Sequence, residues 1–520
     1  MKSFKGWSLV AFTLTILLIV SGCSDSASGD STREMGDKSG RGSGNGKDKL
    51  VIGLDDDPPQ LDPHLSSTAV DRQVLHSLFD KLVDIDEDMN IVPKLAKDWD
   101  ISDDNQTYTF YLQEGVVFHD GTPFNAEAVK FNFDRMLDPA MGSPRYGEVE
   151  QVEQVNVIDE LTVEVQLKTP FSPFLGDLTD RAGMMLSPTA VKESGEDFSR
   201  HPVGTGPYQF VERELQSHIK VSRFDEYWGE PAIIKDVLYK PYTDENIRLT
   251  NLISGDVDMI TVVGFKDIKK IEGNSAVKLS AKEGRGFLGL HLNPAKAPFN
   301  NKDFREAINI AIDRQAITNV VYHGAALPAV SAFPPASWAH NPSLEVPKGD
   351  LTKAKSLLEK SGIKDPSFTI KVKPVETDKQ MAEMVQSMLQ EIGVTVNVEM
   401  QEIGSLLSSA IAGDYEALYL GWDGRTDPDG SVSRFFMSNG YNNYAKVNNP
   451  EIDKLLTDAR VSLDQEERKK IYQRFSEVVF DEANYIFLVH IDENKAMKTN
   501  VNGFIHYPDG MIRPDRIYFD

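Results

Sequence analysis

The residues best suited to hold a small solute lie together in one stretch, Gly421-Trp422-Asp423-Gly424-Arg425-Thr426-Asp427-Pro428-Asp429-Gly430. It combines an indole plate, a forked cation and three carboxylates with turn-forming Gly and Pro. An indole covers apolar surface, a guanidinium grips a carboxylate through two parallel hydrogen bonds, and a carboxylate holds an ammonium. The same residue types also make an ordinary surface turn with solvated charges, so composition alone leaves both readings open. Position favours the first. The stretch follows a hydrophobic run, Glu416 to Trp422, that reads as a strand, and open α/β sheets bind ligands beyond the carboxyl ends of their strands. Trp422, Asp423, Arg425, Asp427 and Asp429 are therefore candidate ligand-binding residues.

Catalytic patterns are missing. The ten histidines are scattered, none pairs at the i, i+4 spacing of a zinc helix, and there is no HExxH. No GxSxG elbow and no P-loop occurs. Gly284-Arg285-Gly286 is too short for a dinucleotide fingerprint, the Asp427 to Gly430 turn lacks the further oxygens of an EF-hand loop, and Asp55 to Asp57 reads as a solvated turn. A two-carboxylate hydrolase leaves no local signature and stays as an alternative. The expectation is a binding protein, not an enzyme, with no cofactor and no metal.

The elements that must position the candidate stretch follow a strand-helix-strand grammar. FTIKVKP (Phe368 to Pro374) is a strand, Asp378 opens the helix KQMAEMVQSMLQEI, Gly393 ends it, and VTVNVEM (Val394 to Met400) is the next strand. Short joints make this a βαβ unit with parallel strands and a right-handed crossover. EALYLGW (Glu416 to Trp422) is a third strand. Asn301 or Asp303 caps FREAINIAI, and Asp350 caps LTKAKSLLEK, closed by Gly362. Earlier in the chain the grammar differs. Lys49 begins a strand (KLVIGL), and residues 105–112 and 161–167 alternate polar and apolar side chains, as half-buried antiparallel strands do. Between them Asn125 caps AEAVKFNFDRML, with Glu127 in its first turn; this part reads as a small α+β insertion.

The N-terminus carries an address. Lys2 and Lys5 precede an apolar run from Trp7 to Val20, too short for a comfortable membrane span and right for a signal-peptide core. Val20-Ser21-Gly22-Cys23 resembles a bacterial lipobox, which implies removal of residues 1–22 and lipidation of Cys23, the chain's single cysteine. An ordinary signal peptide followed by a chance cysteine is the other reading. From Ser24 to Lys47 half the residues are Ser or Gly, so residues 23–48 read as the lipidated cysteine and a flexible tether. With one Cys there is no internal disulfide. The 520 residues carry 55 Lys plus Arg against 80 Asp plus Glu, a net charge of −25 that repels nucleic acid and anionic lipid alike.

Several ordered pieces resemble the extracellular solute-binding proteins of peptide-type ABC importers, the group that handles oligopeptides, dipeptides, glutathione and nickel. They are Pro59-Gln60-Leu61-Asp62-Pro63, Val92 to Ala96, the long run Phe118-His119-Asp120-Gly121-Thr122-Pro123-Phe124-Asn125-Ala126-Glu127, Pro202 to Tyr208, and Phe304 to Asn309 with Ala311 to Asp313. These signature residues read as turns and caps rather than ligand contacts. The resemblance implies a type II periplasmic-binding-protein-like α/β fold of two lobes closing on a solute. Mapped on this chain, lobe one is residues 49–285 plus 490–520, with an inserted subdomain at about 65–192, and lobe two is residues 286–489. Phe287 to Leu292 and Tyr485 to Ile491 are expected to cross between lobes as hinge strands. The implied partners are a short peptide or related solute and the permease subunits of the importer. The chain would be a monomer on the outer face of the cytoplasmic membrane, held there only by its lipid.

Within the family, dipeptide binders place an Asp where Arg425 stands, and the glutathione-binding branch is similar to this chain in having an Arg followed by DPDG. The region expected to supply a carboxylate-binding Arg falls near Trp338 to Pro342, where no Arg is present; Trp338 and His340 are the candidate ligand-binding residues there. His340 or His490 would serve if the solute were a nickel chelate. A short peptide or glutathione-like anionic peptide is the preferred solute. A metal-chelate binder, a peptide-sensing receptor lipoprotein and a surface hydrolase are the alternatives.

Overall fold

The computed structural model describes residues 47–520. The signal segment, Cys23 and the tether up to residue 46 lie outside the described residues. A seven-stranded sheet carries the first part of the body. In spatial order its strands are Val277–Lys282, Glu493–Lys498, Met259–Ile260, Lys49–Leu54, Asp236–Pro241, His218–Arg223 and Tyr208–Glu214. Lys49–Leu54 runs parallel to both neighbours and is buried from Leu50 onward, which is why it reads as an unbroken apolar run.

A six-stranded sheet carries the second part: Ala326–Pro328, Tyr485–Ile491, Phe287–Leu292, Ala417–Trp422, Ser367–Val372 and Thr395–Met400. The βαβ unit forms as the sequence predicts. Ser367–Val372 and Thr395–Met400 are parallel neighbours, and Ala417–Trp422 is parallel to the first of them. The intervening helix is Glu376–Gln390, so it starts before the expected opening at Asp378, with Val375 ahead of it and no side-chain cap. Asp378 lies in the first turn, 5% exposed, 3.5 Å from the Lys373 ammonium. An acid is favoured both at a cap and in the first turn, and a sequence pattern does not separate the two. Elsewhere the caps hold: Asn125, Asn301 and Asp350 each accept a backbone N–H of the first turn.

A four-stranded antiparallel sheet, in the order Ala96–Ile101, Thr107–Leu112, Thr162–Leu167, Val152–Asp159, forms a third layer. The helix Ala126–Leu137 lays Val129, Phe133 and Met136 on it, in a core that runs from Leu82 to Met185. Helix Ala69–Leu78 packs elsewhere: Val70, Val74, Leu75 and Leu78 belong to the core under the first sheet. Among the described residues no helix is long and apolar enough to cross a membrane.

The chain passes between the seven- and six-stranded sheets at two places. Val277–Lys282 and Phe287–Leu292 are joined through Glu283-Gly284-Arg285-Gly286, and Tyr485–Ile491 and Glu493–Lys498 through Asp492 alone. The strands Phe287–Leu292 and Tyr485–Ile491, expected to span the lobes, instead pair with each other inside the second sheet. Both are buried along most of their length, and a buried strand must find all its backbone partners in one sheet, which leaves the short links to make the passage. The links touch. A Cβ on Gly284 would fall 2.1 Å from the Ile491 carbonyl oxygen, so only glycine fits there.

Candidate functional site

A cavity of about 680 Å³ opens where the two sheets and the four-stranded layer meet. Its wall includes Tyr108 and Gly176 from that layer, Lys282 at the end of its strand, Glu283 to Arg285 from the first link, and Trp338, Arg425 and Arg468 from the second sheet's loops and helices. A cavity of about 430 Å³ shares Gly284 in its wall and is lined by Lys373, Trp422, Asp423 and Glu493 among others. The candidate stretch thus stands between them. Trp422 and Asp423 face the smaller space, and Arg425, Thr426 and Asp427 face the larger.

The stretch leaves the carboxyl end of strand Ala417–Trp422 and turns into helix Pro428–Phe436. Gly424 makes that turn possible with φ at +76°, a left-handed conformation costly for other residues. Arg425 folds back so that its guanidinium centre lies 4.2 Å from the centroid of the Trp422 ring. Its Nη1 donates to Asp423 Oδ1 at 3.0 Å and to the Gly424 carbonyl at 2.7 Å. Burial opposes the charge on Arg425, but Asp423 and then Asp180 outweigh it and hold the guanidinium above its ordinary value. Burial likewise opposes ionisation of Asp423, and Arg425, Arg72 and Arg285 together hold its carboxyl below the usual range. Arg72, on helix Ala69–Leu78 under the first sheet, comes within 4.0 Å of Asp423. Thr426 Oγ1 meets Thr179 Oγ1 at 2.9 Å and accepts from Arg285 at 3.3 Å.

Asp427 and Asp429 are differently placed. Asp427 caps the helix, and Arg468 donates to both of its oxygens at 2.7 and 2.9 Å. Asp429, 4% exposed, receives two hydrogen bonds from Arg460 at 2.9 and 3.1 Å and a third from Ser433. Offered by the sequence as candidate ligand-binding residues, both carboxylates are here engaged by arginines and brace the loop. Trp338 lines the larger cavity, 5.3 Å from the Arg468 guanidinium and edge-on to Tyr472. His340 lines neither cavity; its Nδ1 lies 3.1 Å from the Phe333 carbonyl, a contact that occupies the ring inside its own loop. His490 is also engaged, 2.7 Å from the Gly286 carbonyl, with its imidazole pushed down to about 4 by burial. Among the described residues no group of three or more His, Cys, Asp or Glu is placed to hold a metal ion.

Several cations were not legible in the sequence, among them Arg285 and Arg468 in the wall of the larger cavity. Arg434, on helix Pro428–Phe436, brings its guanidinium 4.9 Å from the Trp422 ring centroid. Lys373 stands just past strand Ser367–Val372 in the wall of the smaller cavity. The strand-end rule that singled out Arg425 also points to Lys373, and would have found it if applied to every strand of the sheet.

Residues 90–443 match the family described as bacterial extracellular solute-binding proteins, family 5 Middle. The glutathione-binding protein GsiB of Pectobacterium atrosepticum is 30% identical over 485 residues, covering 89% of this chain and 92% of that protein. Among solved structures, the periplasmic binding protein DppA of Helicobacter pylori, in complex with the peptide STSA, superposes with a TM-score of 0.81 at 27% identity, covering 91% of this chain and 98% of that one. The dipeptide-binding protein of Pseudoalteromonas in complex with Met-Leu gives a TM-score of 0.80 at 26% identity, covering 91% and 100%. The fold is therefore that of the type II periplasmic binding proteins, and the chain belongs to the bacterial extracellular solute-binding proteins of family 5, whose members bind solutes and are not enzymes.

Proposed function

We propose that this chain is the solute-binding component of an ABC importer, capturing a short peptide or glutathione-like anionic peptide between a lobe of residues 49–285 plus 490–520 and a lobe of residues 286–489. The observation that carries this reading is Arg425. It sits in a cavity wall, stacked on Trp422, with only Nη1 engaged among the described residues, so Nε and Nη2 are left for a carboxylate. The names of the relatives support the solute class: glutathione is a peptide with two carboxylates and one ammonium, and the two structural neighbours named above hold short peptides. Asp427 and Asp429 brace the loop that presents Arg425, and Trp338 and Lys373 offer further lining.

Delivery to a membrane permease follows from this role. Cys23, once lipidated, would tether the monomer to the outer face of the cytoplasmic membrane, since a diacylated anchor holds stably where a single chain does not. Mass spectrometry of solute carried through purification, followed by calorimetry with that solute, tests the binding reading; a chain that carries and binds no peptide would overturn it. Fractionation tests the anchor. Cys23→Ser should move the protein from the membrane fraction to the soluble one, and an unchanged distribution would remove the anchor.

A further inference from the structure

The helix Pro450–Val461 of the second lobe has its C-terminal end completed by the first. A helix leaves its last four carbonyls without partners of its own, and here Asp458 accepts from the Ser462 N–H just past the end. The remaining three are met by residues of the inserted layer. The Arg460 carbonyl accepts from the Ser172 N–H at 2.7 Å, the Ala459 carbonyl from the Ser172 hydroxyl at 3.2 Å, and the Val461 carbonyl from the Asn105 amide at 3.4 Å. Ser172 is held in place for this. It lies between Phe171 and Phe174, both buried in the core of the layer, and the buried Tyr108 donates its hydroxyl to the Phe171 carbonyl. A second contact follows one turn on. A Cβ on Gly176, in the short helix Phe174–Asp177, would lie 2.9 Å from the Asp427 Cβ, and the nearest atoms it would meet all belong to Asp427. Ser172 and Gly176 stand in the wall of the larger cavity, as does Gly284 of the first link.

The covalent links between the lobes touch each other, so the motion open to the lobes is a swing about that one place. Such a swing must break the seam at Ser172, Asn105 and Gly176. Every donor and acceptor in the seam is a protein group. A solute shifts the balance of open and closed forms only through its own differential contacts, whereas these contacts favour the closed form whether solute is bound or not. One hydrogen bond shifts an equilibrium about 2- to 10-fold, so two or three together favour closure by about tenfold or more. Resting on the two-lobe binding role given above, we propose that Ser172, Asn105 and Gly176 form a latch that closes the larger cavity without solute, so that solute enters or leaves only while the latch is released. Ser172 and Asn105 are positioning residues. They hold the end of the helix that carries Arg460, and Arg460 grips Asp429, which braces the loop presenting Arg425.

Hydrogen exchange on the full chain in detergent tests the latch, after dialysis in guanidinium and return to buffer have left no carried solute by mass spectrometry. Pro170 and Pro173 have no N–H, so the segment between them reports only the Phe171 and Ser172 amides. The Ser172 amide of the unmodified chain should exchange about tenfold or more slowly than that of Gly176→Val, whose side chain would wedge against Asp427. Amides of strand Thr162–Leu167, paired inside the layer, should keep their protection in the variant and so show that it folds. Asn105→Gly tolerates the left-handed backbone at this position (φ +58°) and removes only the side-chain amide, so it should speed Ser172 exchange about 2- to 10-fold. A Ser172 amide that exchanges at the free-chain rate in the unmodified chain would overturn the latch, and so would equal protection in the unmodified chain and Gly176→Val. If Gly176→Val lost its strand protection, Asn105→Gly would decide alone, and unchanged exchange there would overturn the latch. These outcomes leave the solute-binding reading in place, because that reading is decided by carried solute and calorimetry, which the exchange measurement does not use.

Discussion

The stretch from Asp423 to Gly430 has two charged halves that fare differently. In the second half, Asp427 and Asp429 are fully engaged, each by the two-pronged guanidinium of an arginine on a later helix. In the first half, Arg425 shares one nitrogen with Asp423 and keeps the rest free among the described residues, leaning on an indole. The difference teaches that a charge-rich loop in a binding cleft need not be a uniform set of contacts. One half stores its charge in internal pairs and so becomes rigid; the other is thereby held in place with its valences open. Arg434 belongs with the open half, and Arg460 and Arg468 with the closed one.

The largest expected effect comes from breaking the closed half. Arg468→Ala would leave Asp427 buried without its cation, and removing one partner of a buried pair costs about 3–5 kcal/mol; the pair is 8% and 11% exposed. Chemical denaturation should show that loss, and a loss below about 1 kcal/mol would erase the distinction between the halves. Next is Arg425→Ala. Truncating one partner of a desolvated charged contact costs about 2–5 kcal/mol, so solute affinity should fall roughly 10- to 1000-fold while unfolding free energy moves by less than about 1 kcal/mol. Calorimetry beside a melting curve reads both, and a variant that lost stability yet kept its affinity would place Arg425 in the closed half.

The third test takes the comparison to a buried group with no ion at all. His291 lies between Tyr444 and Tyr485, 2% exposed, its Nδ1 without a partner among the described residues, and burial pushes its imidazole down to about 3. In the unfolded chain it titrates near 6.5. Between those values the unfolded state binds a proton that the folded state refuses, so its stabilising contribution is complete above about pH 6.5 and is lost as pH falls towards 3, by up to about 1.4 kcal/mol per pH unit. His291→Phe should flatten the acid limb of a stability-against-pH curve by that amount. An unchanged slope would mean that the histidine is hydrated and that burial alone does not set its charge.

What local chemistry decides was legible in the sequence. Asn125, Asn301 and Asp350 cap the helices because their side chains reach backbone N–H groups a few residues on, and TYTFYL alternates exposure along its strand as its letters alternate. Arg425 was legible because the strand before it was. Distance hid the rest. Nothing near Asp429 or Asp427 announces that Arg460 and Arg468, 31 and 41 positions away, will arrive to neutralise them. Phe287–Leu292 and Tyr485–Ile491 were apolar enough to suggest a crossing, yet the same apolarity is what commits them to one sheet.

The two links between the sheets bear on how this molecule can be rebuilt. Gly284 in one nearly touches Ile491 beside the other, so the second sheet and its helices leave the first sheet and return to it at a single doorway. Residues 286–491 are in effect a graft with both cut ends side by side. A relative's second sheet could be spliced in at that doorway with two short junctions to match, and such a chimaera would take Asp423 and Arg425 from one parent and Arg72, which approaches Asp423, from the other.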